Sequence, residues 1–357
     1  MGNFEPYNSE SITEDEYRFR RKETQGVELE SFYKNYETSN TTYSSFGLSD
    51  IFKKTTVTFY SIIFVLGIIG NGLVIWIAGF RMKTVSAVWF LNLAVADFLC
   101  CASLPLRMAE FIYPYTFQQV ISCILNIILF NLNMSASVLF LTAMSIDRCV
   151  SVTWPFWAKL HRTHKLVRIT AAIIWLLSFL LSAFIFYFYG FFLVNLNEWC
   201  IFSFIFIDYD HIYRIPVQLI RLLIMFLIPL LIILISYVTI FFKIKTSKRP
   251  QRSQRPYRII TAVILCFFIC WCPYYIWPLT PMYDEDNVPF YVLHAIVINL
   301  AFLNSCINPI IYVLMGQDIK HGFCRSIPSR LERALTEPPD DPCRGPQDVQ
   351  HTHNTDV

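Results

Sequence analysis

Seven long apolar stretches, separated by short polar breaks, constrain this chain more than any other feature. They fall at about 55–80, 84–110, 120–153, 166–190, 212–243, 256–280 and 287–313. Crossing the hydrocarbon core of a bilayer takes about 20 helical residues, so each stretch is long enough to span, some with tilt. Helices of soluble proteins average only about 11–12 residues, which argues against a buried soluble core. Composition agrees. Of the 357 residues, 55% are hydrophobic and only 15% charged, against about 25% charged in an ordinary soluble domain. The expected fold is an all-α membrane protein: a seven-transmembrane helix bundle over residues 51–315, with a short amphipathic interfacial helix over 316–328. An acidic disordered tail, 1–50, is expected before it and a second disordered tail, 329–357, after it.

Charge sets the orientation. The 1–2, 3–4 and 5–6 connections carry fourteen Lys and Arg residues, among them Arg81, Arg148, Arg162, Arg168, Lys243 and Arg258. The alternate connections are acidic, with Glu110, Glu198, Asp208, Asp210, Asp284, Glu285 and Asp286. Basic loops stay in the cytoplasm, so the amino terminus is expected outside and the carboxyl tail inside, in a multi-pass protein of the plasma membrane. Lys53 and Lys54 run against the rule but are outnumbered. Residues 1–50 contain no apolar run suited to a secretory leader, so the first span is expected to serve as its own insertion signal. A net charge of +3 implies no nucleic-acid partner. The eleven cysteines show no zinc-like spacing, and no nucleophile, base or cofactor loop suggests an enzyme or a cofactor.

Polar side chains inside a membrane are costly unless they face a protected interior, so each is a candidate functional residue. Here they follow a fixed order. Asn71 stands in Gly70-Asn71-Gly72, and Asp97 ends Leu93-Ala94-Val95-Ala96-Asp97. Asp147-Arg148-Cys149 closes the third stretch, and Trp175 lies in the fourth. Pro229 and Tyr237 are in the fifth, Cys270-Trp271-Cys272-Pro273 in the sixth, and Asn308-Pro309-Ile310-Ile311-Tyr312 in the seventh. One per helix and in this order, over roughly residues 50–330, these motifs resemble the rhodopsin-like family of G-protein-coupled receptors.

The resemblance implies a switch built from Asp147, Arg148, Tyr237, Pro273, Asn308, Pro309 and Tyr312, with a heterotrimeric G protein and arrestin as partners. Prolines remove helix hydrogen bonds and permit pivots. Asp147 is expected to partner Arg148 in the resting state. Two departures stand out: Cys149 replaces the usual tyrosine, and Ser253 stands where some relatives carry an acid. The resemblance also implies an allosteric sodium ion held by Asp97, Asn133, Ser137, Asn304 and Asn308. No base lies at the depth of Asp97, and oxygen ligands suit a hard cation; a proton on Asp97 is the other way to neutralise it. Cys123 and Cys200 both face the oxidising side and are expected to form a disulfide. Asn40 is the expected glycosylation site, Cys324 a palmitoylation candidate and Tyr17, following Glu14-Asp15-Glu16, a sulfation candidate.

Longer strings narrow the branch. Val88 to Leu99, Ile146 to Val152, Phe267 to Tyr274 and Met315 to Asp318, with Ser329 to Glu337 in the tail, look like the chemerin and formyl-peptide chemoattractant receptors, with anaphylatoxin receptors close behind. The function this implies is recognition of an extracellular chemoattractant peptide or protein, in chemotaxis or inflammatory signalling through an inhibitory-type G protein. Arg221, eight residues before Pro229, faces the bundle if the helix is regular, and in look-alike receptors an arginine here meets the ligand's acid. Asn131, Trp271, His294 and Glu110 complete the expected pocket, Glu110 being also a candidate internal partner for Arg221. Formyl-peptide receptors carry a further arginine and an aspartate where this chain has Val217 and Asn131, so a ligand with one free carboxylate fits better. The alternatives are a non-signalling scavenging receptor and a receptor for an acidic lipid mediator. An opsin would need a lysine in 287–313, and there is none.

Overall fold

The structure, a computed structural model, describes residues 43–112, 117–195, 211–246, 255–279 and 288–315, together with Pro328, Leu331 and Leu335. The chain divides into two compact units, Met1–Thr55 and Thr56–Val357. The helices are α1 (Tyr43–Trp76), α2 (Val85–Ile112), α3 (Phe117–Thr153), α4 (Pro155–His161), α5 (His164–Asn195), α6 (His211–Leu222), α7 (Ile228–Thr246), α8 (Arg255–Ile276) and α9 (Val288–Met315). Single π-helical turns extend α1 over Ile77–Arg81 and join α6 to α7 over Leu223–Leu227.

Seven spans are long and apolar enough to cross a bilayer: Lys53–Arg81, Val85–Ala109, Ile124–Thr153, His164–Phe184, Gln218–Thr246, Arg258–Ile276 and Ala295–Leu314. They coincide with the seven stretches read from the sequence. Such helices satisfy every backbone group within the segment, as a hydrocarbon solvent requires. Their polarity is inverted relative to a water-soluble protein. Leu66, Ile69, Leu176, Leu180, Leu234 and Ile235 face outward, whereas Asn71, Asp97, Asn126, Asn133, Ser137, Asn304 and Asn308 are buried. The third span is the hub, packing against the second, fourth and fifth; the sixth lies on the seventh and the seventh returns to the second.

Polar ties and close approaches fix these neighbours. Asn71 Nδ2 donates to the Ser305 carbonyl at 2.8 Å, joining the first and seventh spans. Trp175 Nε1 donates to Asn92 Oδ1 at 2.8 Å, joining the fourth and second. Between the first span and its neighbours the enabling residues are glycines. A Cβ on Gly70 would lie 2.9 Å from Pro309 Cβ, and one on Gly67 would collide with Cys101 Sγ and lie 3.0 Å from Cys101 Cβ. In lipid, where no water drives helices together, such small-residue contacts carry much of the association.

Gly67→Ala should therefore lower the apparent thermal midpoint of the purified protein, since forced overpacking costs about 1–3 kcal/mol. Cys101→Gly in the same chain should recover most of the loss, and a midpoint that stays low in the double variant would place the damage elsewhere.

Candidate functional site

Three polar layers line the bundle interior. The first surrounds Arg221, which is only 7% exposed. Its Nη2 donates to Tyr274 Oη at 2.8 Å, to Asn131 Oδ1 at 3.1 Å and to Met134 Sδ at 3.4 Å. The guanidinium carbon lies 4.8 Å from the Tyr274 ring centroid and 5.7 Å from that of Tyr275, within range of a cation–π attraction. These partners are neutral, and they fix the fork of the guanidinium against an aromatic wall.

Arg221 reaches this position by a route the sequence did not disclose. Eight residues of regular helix would rotate it about 80° away from Pro229. The wide turn at Leu223–Leu227 absorbs one residue and brings the two side chains nearly into line. Gln218, Arg221, Met225, Pro229, Ile233, Ser236 and Ile240 accordingly form one buried stripe. The inward direction of Arg221 was anticipated, but the regular helix invoked for it gives way to a π turn.

Below Arg221 lies an aromatic layer. Tyr274 packs edge-on against Trp271 at 5.5 Å, Trp271 against Phe130 at 5.1 Å, and Phe130 against Phe302 at 4.8 Å. Trp271 is fully buried. The expected pocket residues Asn131 and Trp271 thus come together with Arg221. The side chains of Glu110 and His294 lie outside the described residues. The sequence reading had not singled out Met134, nor given Tyr274 its place beside the arginine.

The second polar layer is the buried carboxylate of Asp97. Asn133 Nδ2 donates to Oδ1 at 2.9 Å and Asn308 Nδ2 to Oδ2 at 2.7 Å. Ser305 Oγ donates to Asn133 Oδ1 at 3.3 Å, and Asn133 Nδ2 lies 3.5 Å from Ser137 Oγ. All five residues proposed to hold sodium are buried, and four share this network. The fifth, Asn304, has both polar side-chain atoms without a hydrogen-bond partner, as is Asn308 Oδ1. The unpaired oxygen of Asn308, on the amide that donates to Asp97, fits a small hard cation. Asp97, Asn304, Asn308 and Ser137 would supply the oxygens, and the ion would neutralise the carboxylate.

The third layer closes the Arg148 end. Here the expectation that Asp147 partners Arg148 is corrected. Both carboxylate oxygens of Asp147 are taken by Arg162: Nε donates to Oδ1 at 2.8 Å and Nη2 to Oδ2 at 2.7 Å. Arg148 Nη2 donates to Ser86 Oγ at 2.8 Å, and Arg162 Nη2 reaches the same oxygen at 2.8 Å. The cause is the short helix α4, opened by Pro155, a residue pre-set for the first helical position. It returns Arg162 to the end of the third span, and a planar fork matches a carboxylate bidentately. Arg162 and Ser86 were missed as site residues, since Arg162 read only as one basic loop residue among many. Tyr312 is buried and packs edge-on against Phe90 at 5.3 Å. Tyr237 is partly buried against the core, and Pro273 and Pro309 lie within α8 and α9.

The remaining assignments lie outside the described residues: the Cys123–Cys200 disulfide, Asn40, Tyr17 and Cys324. Within the stretch expected to be a disordered tail, Leu331 and Leu335 are instead helical and buried.

The Asp147–Arg162 clasp should appear as non-additivity. With Asp147→Asn and Arg162→Ala, the double variant should be no less thermally stable than the weaker single, a coupling of about 1 kcal/mol for a partly exposed pair. Losses that simply add would show that the two act independently.

Residues 70–312 match the family described as 7 transmembrane receptor (rhodopsin family). Among curated proteins, the chain is 39% identical over 318 residues to chemerin-like receptor 1 of Sus scrofa, covering 79% of this chain and 82% of that protein. It is 36% identical over 305 residues to the C3a anaphylatoxin chemotactic receptor of Danio rerio, covering 82% and 81%. It is also 36% identical over 300 residues to N-formyl peptide receptor 3 of Homo sapiens, covering 79% and 84%. Seven spans, a matching family model over two thirds of the chain and this depth of similarity agree: the chain is a member of the rhodopsin family of seven-transmembrane receptors, within its chemoattractant-receptor branch, and is not an enzyme.

Proposed function

We propose that the chain is a plasma-membrane receptor for an extracellular chemoattractant peptide or protein bearing a free carboxylate, and that it activates an inhibitory-type heterotrimeric G protein. In this reading the Arg221 layer faces outward and the Arg148 layer faces the cytoplasm. The observation that carries the reading is the setting of Arg221. A guanidinium sits in a largely dry interior, its fork steadied by an amide oxygen, a phenol and two aromatic faces. There it can take a carboxylate through two parallel hydrogen bonds. The names of the relatives, a chemotactic receptor, a formyl peptide receptor and a chemerin-like receptor, favour a chemoattractant.

Transmission follows from what the arginine rests on. A ligand that draws Arg221 toward its own acid loosens the 2.8 Å bond to Tyr274 and disturbs the Tyr274–Trp271–Phe130–Phe302 stack. Pro273 and Pro309 leave backbone groups unpaired in the sixth and seventh spans, so those helices can pivot there. Outward movement of the sixth helix opens a cleft beside Arg148, Tyr237 and Tyr312 for the G protein. The ligand shifts the equilibrium only by its difference in affinity for the two states.

Removing one partner of a buried ionic hydrogen-bonded pair costs about 2–5 kcal/mol. Arg221→Ala should accordingly weaken the response to the cognate agonist by about 30-fold or more. Amidating the agonist's carboxylate should weaken it on the wild type and cost little more on the variant. Effects that multiply instead would assign Arg221 a structural role and place the ligand's acid elsewhere. A separate measurement addresses the ion. Agonist affinity should fall as sodium replaces a bulky organic cation at constant ionic strength, and Asp97→Asn should abolish that dependence. A sodium effect that survives the substitution would rule this carboxylate out as the ligand.

A further inference from the structure

Helix α4 lies outside the seven spans and is only seven residues long, Pro155–His161, yet it carries an apolar surface like theirs. Phe156 is 79% exposed, and Leu160 and Trp154 are each more than half exposed. Trp157 is also exposed, although its ring stacks on that of His161 with centroids 4.5 Å apart. Leu180, on the lipid-facing wall of the fourth span, stands at 54%. A surface in water rarely gathers so many large apolar side chains in one place.

The position of α4 follows from what holds it. The third span ends at Thr153, just before Trp154, and the fourth begins at His164, just after α4 ends at His161. Trp154 N donates to the Val150 carbonyl at 2.9 Å, and Arg162 is clasped to Asp147. Both ends of α4 are thereby tied to the last turns of the third span, at the level where the lipid-facing wall stops. Its one buried residue is Ala158. Phe156 and Leu160 lie two positions to either side, about 200° around the helix, so they point away from whatever covers Ala158. Leu166, Ile169 and Ile173 resume the exposed apolar wall directly afterwards.

Charge completes the pattern. Residues 148–197 contain no Asp or Glu, while Lys159, Lys165 and Arg168 are exposed. Lys165 lies about 200° around α5 from the buried Val167, on the side turned from the bundle and one turn before Ile169. A lysine there can lay its stem along the apolar wall and hold its ammonium at the headgroups. The first span, which runs in the same direction as the third, closes alike. Phe80 is 80% exposed, and the Arg81 guanidinium carbon lies 5.4 Å from the Trp76 ring centroid. Exposed aromatic rings beside bases are the composition of a membrane interface.

We propose that Trp154, Phe156, Trp157 and Leu160 lie in the headgroup layer of the bilayer at the Arg148 end, where Lys159, Lys165 and Arg168 bind the phosphates of anionic phospholipids. Aromatic side chains suit a layer that is apolar on one side and wet on the other. Each of the three bases contributes about fivefold to the preference for an anionic headgroup. Held in this layer, α4 keeps Arg162 within reach of Asp147. The orientation proposed above makes this the cytoplasmic leaflet, which is the anionic one; residence in the headgroup layer does not depend on that orientation.

The test uses the full-length protein in lipid nanodiscs, whose leaflets are alike. A bimane probe on Leu160→Cys, or on Phe156→Cys if the first variant misfolds, reports the position of α4. Wild-type protein taken through the same labelling supplies the background. Phospholipid bearing a headgroup nitroxide should quench the probe more strongly than phospholipid bearing one deep in its acyl chain. A probe that aqueous iodide quenches and neither nitroxide lipid reaches overturns the proposal. So does a probe that becomes shielded only when a heterotrimeric G protein is added, which would make this face a protein-docking surface. In mixed phosphatidylserine and phosphatidylcholine nanodiscs, native mass spectrometry should find phosphatidylserine enriched on the wild type. Lys159→Gln/Lys165→Gln/Arg168→Gln should lower that enrichment by at least about fivefold, whereas Lys159→Arg/Lys165→Arg should keep it. Equal enrichment on the wild type and the glutamine variant, or equal loss in the charge-conserving pair, overturns the proposal as well.

Discussion

A carboxylate sealed from both water and lipid sets the terms for the rest of this bundle. Asp97 is fully buried, and its two oxygens accept hydrogen bonds from Asn133 and Asn308 at 2.9 and 2.7 Å. A buried acceptor left without a partner costs about 1–3 kcal/mol, and more when charged. The second, third and seventh spans must therefore hold these residues at one level. Apolar residues cannot impose such a register, because lipid tails solvate a leucine as well as another helix does. Asn71 extends the tie to the first span through the Ser305 carbonyl, and Trp175 extends it to the fourth through Asn92. Five of the seven helices are indexed to one another by a few amide and indole hydrogen bonds.

The aromatic layer uses the same indexing. Phe130 lies one turn before Asn133 on the third span, and Phe302 one turn before Ser305 on the seventh. Residues three apart share a helix face, so neither ring can move far without carrying the polar layer with it. Trp271 and Tyr274 close the stack from the sixth span, and Tyr274 holds Arg221. Arg221 and the Asp97 layer are therefore linked through rings that pack closely and deform little. The compliant places are elsewhere, at Pro273 and Pro309, which interrupt the hydrogen bonds of the sixth and seventh helices just where they pass this layer.

What the sequence disclosed follows from the range of the interactions involved. The seven spans were legible because hydropathy over about 20 residues is a property of each segment alone. Asp97, Asn133 and Asn308 were legible as partners because polar residues inside hydrocarbon have few places to turn. The π turn before Pro229 was not, since apolar residues such as Leu223 and Leu227 fit either helix type. Nor was the clasp of Asp147 by Arg162, which depends on how far α4 carries the chain back. Leu331 and Leu335 were placed in a disordered tail because, amid Arg330, Glu332 and Arg333, two leucines read as part of a solvated segment.

The magnitudes also rank how firmly the two layers are held. Hydrogen bonds to a charged group in a dry interior are worth about 1.5–3 kcal/mol each, so the Asp97 layer surrenders its partners only in exchange for others. The Asp147–Arg162 pair, with side chains 10% and 18% exposed, has water at hand to replace what it loses, and exposed ion pairs contribute about 0–1 kcal/mol. Ser86 accepts from two guanidinium groups at once. Rearrangement at the Arg148 end costs little, whereas rearrangement at Asp97 costs much. The Asp97 layer is therefore the more tightly held of the two.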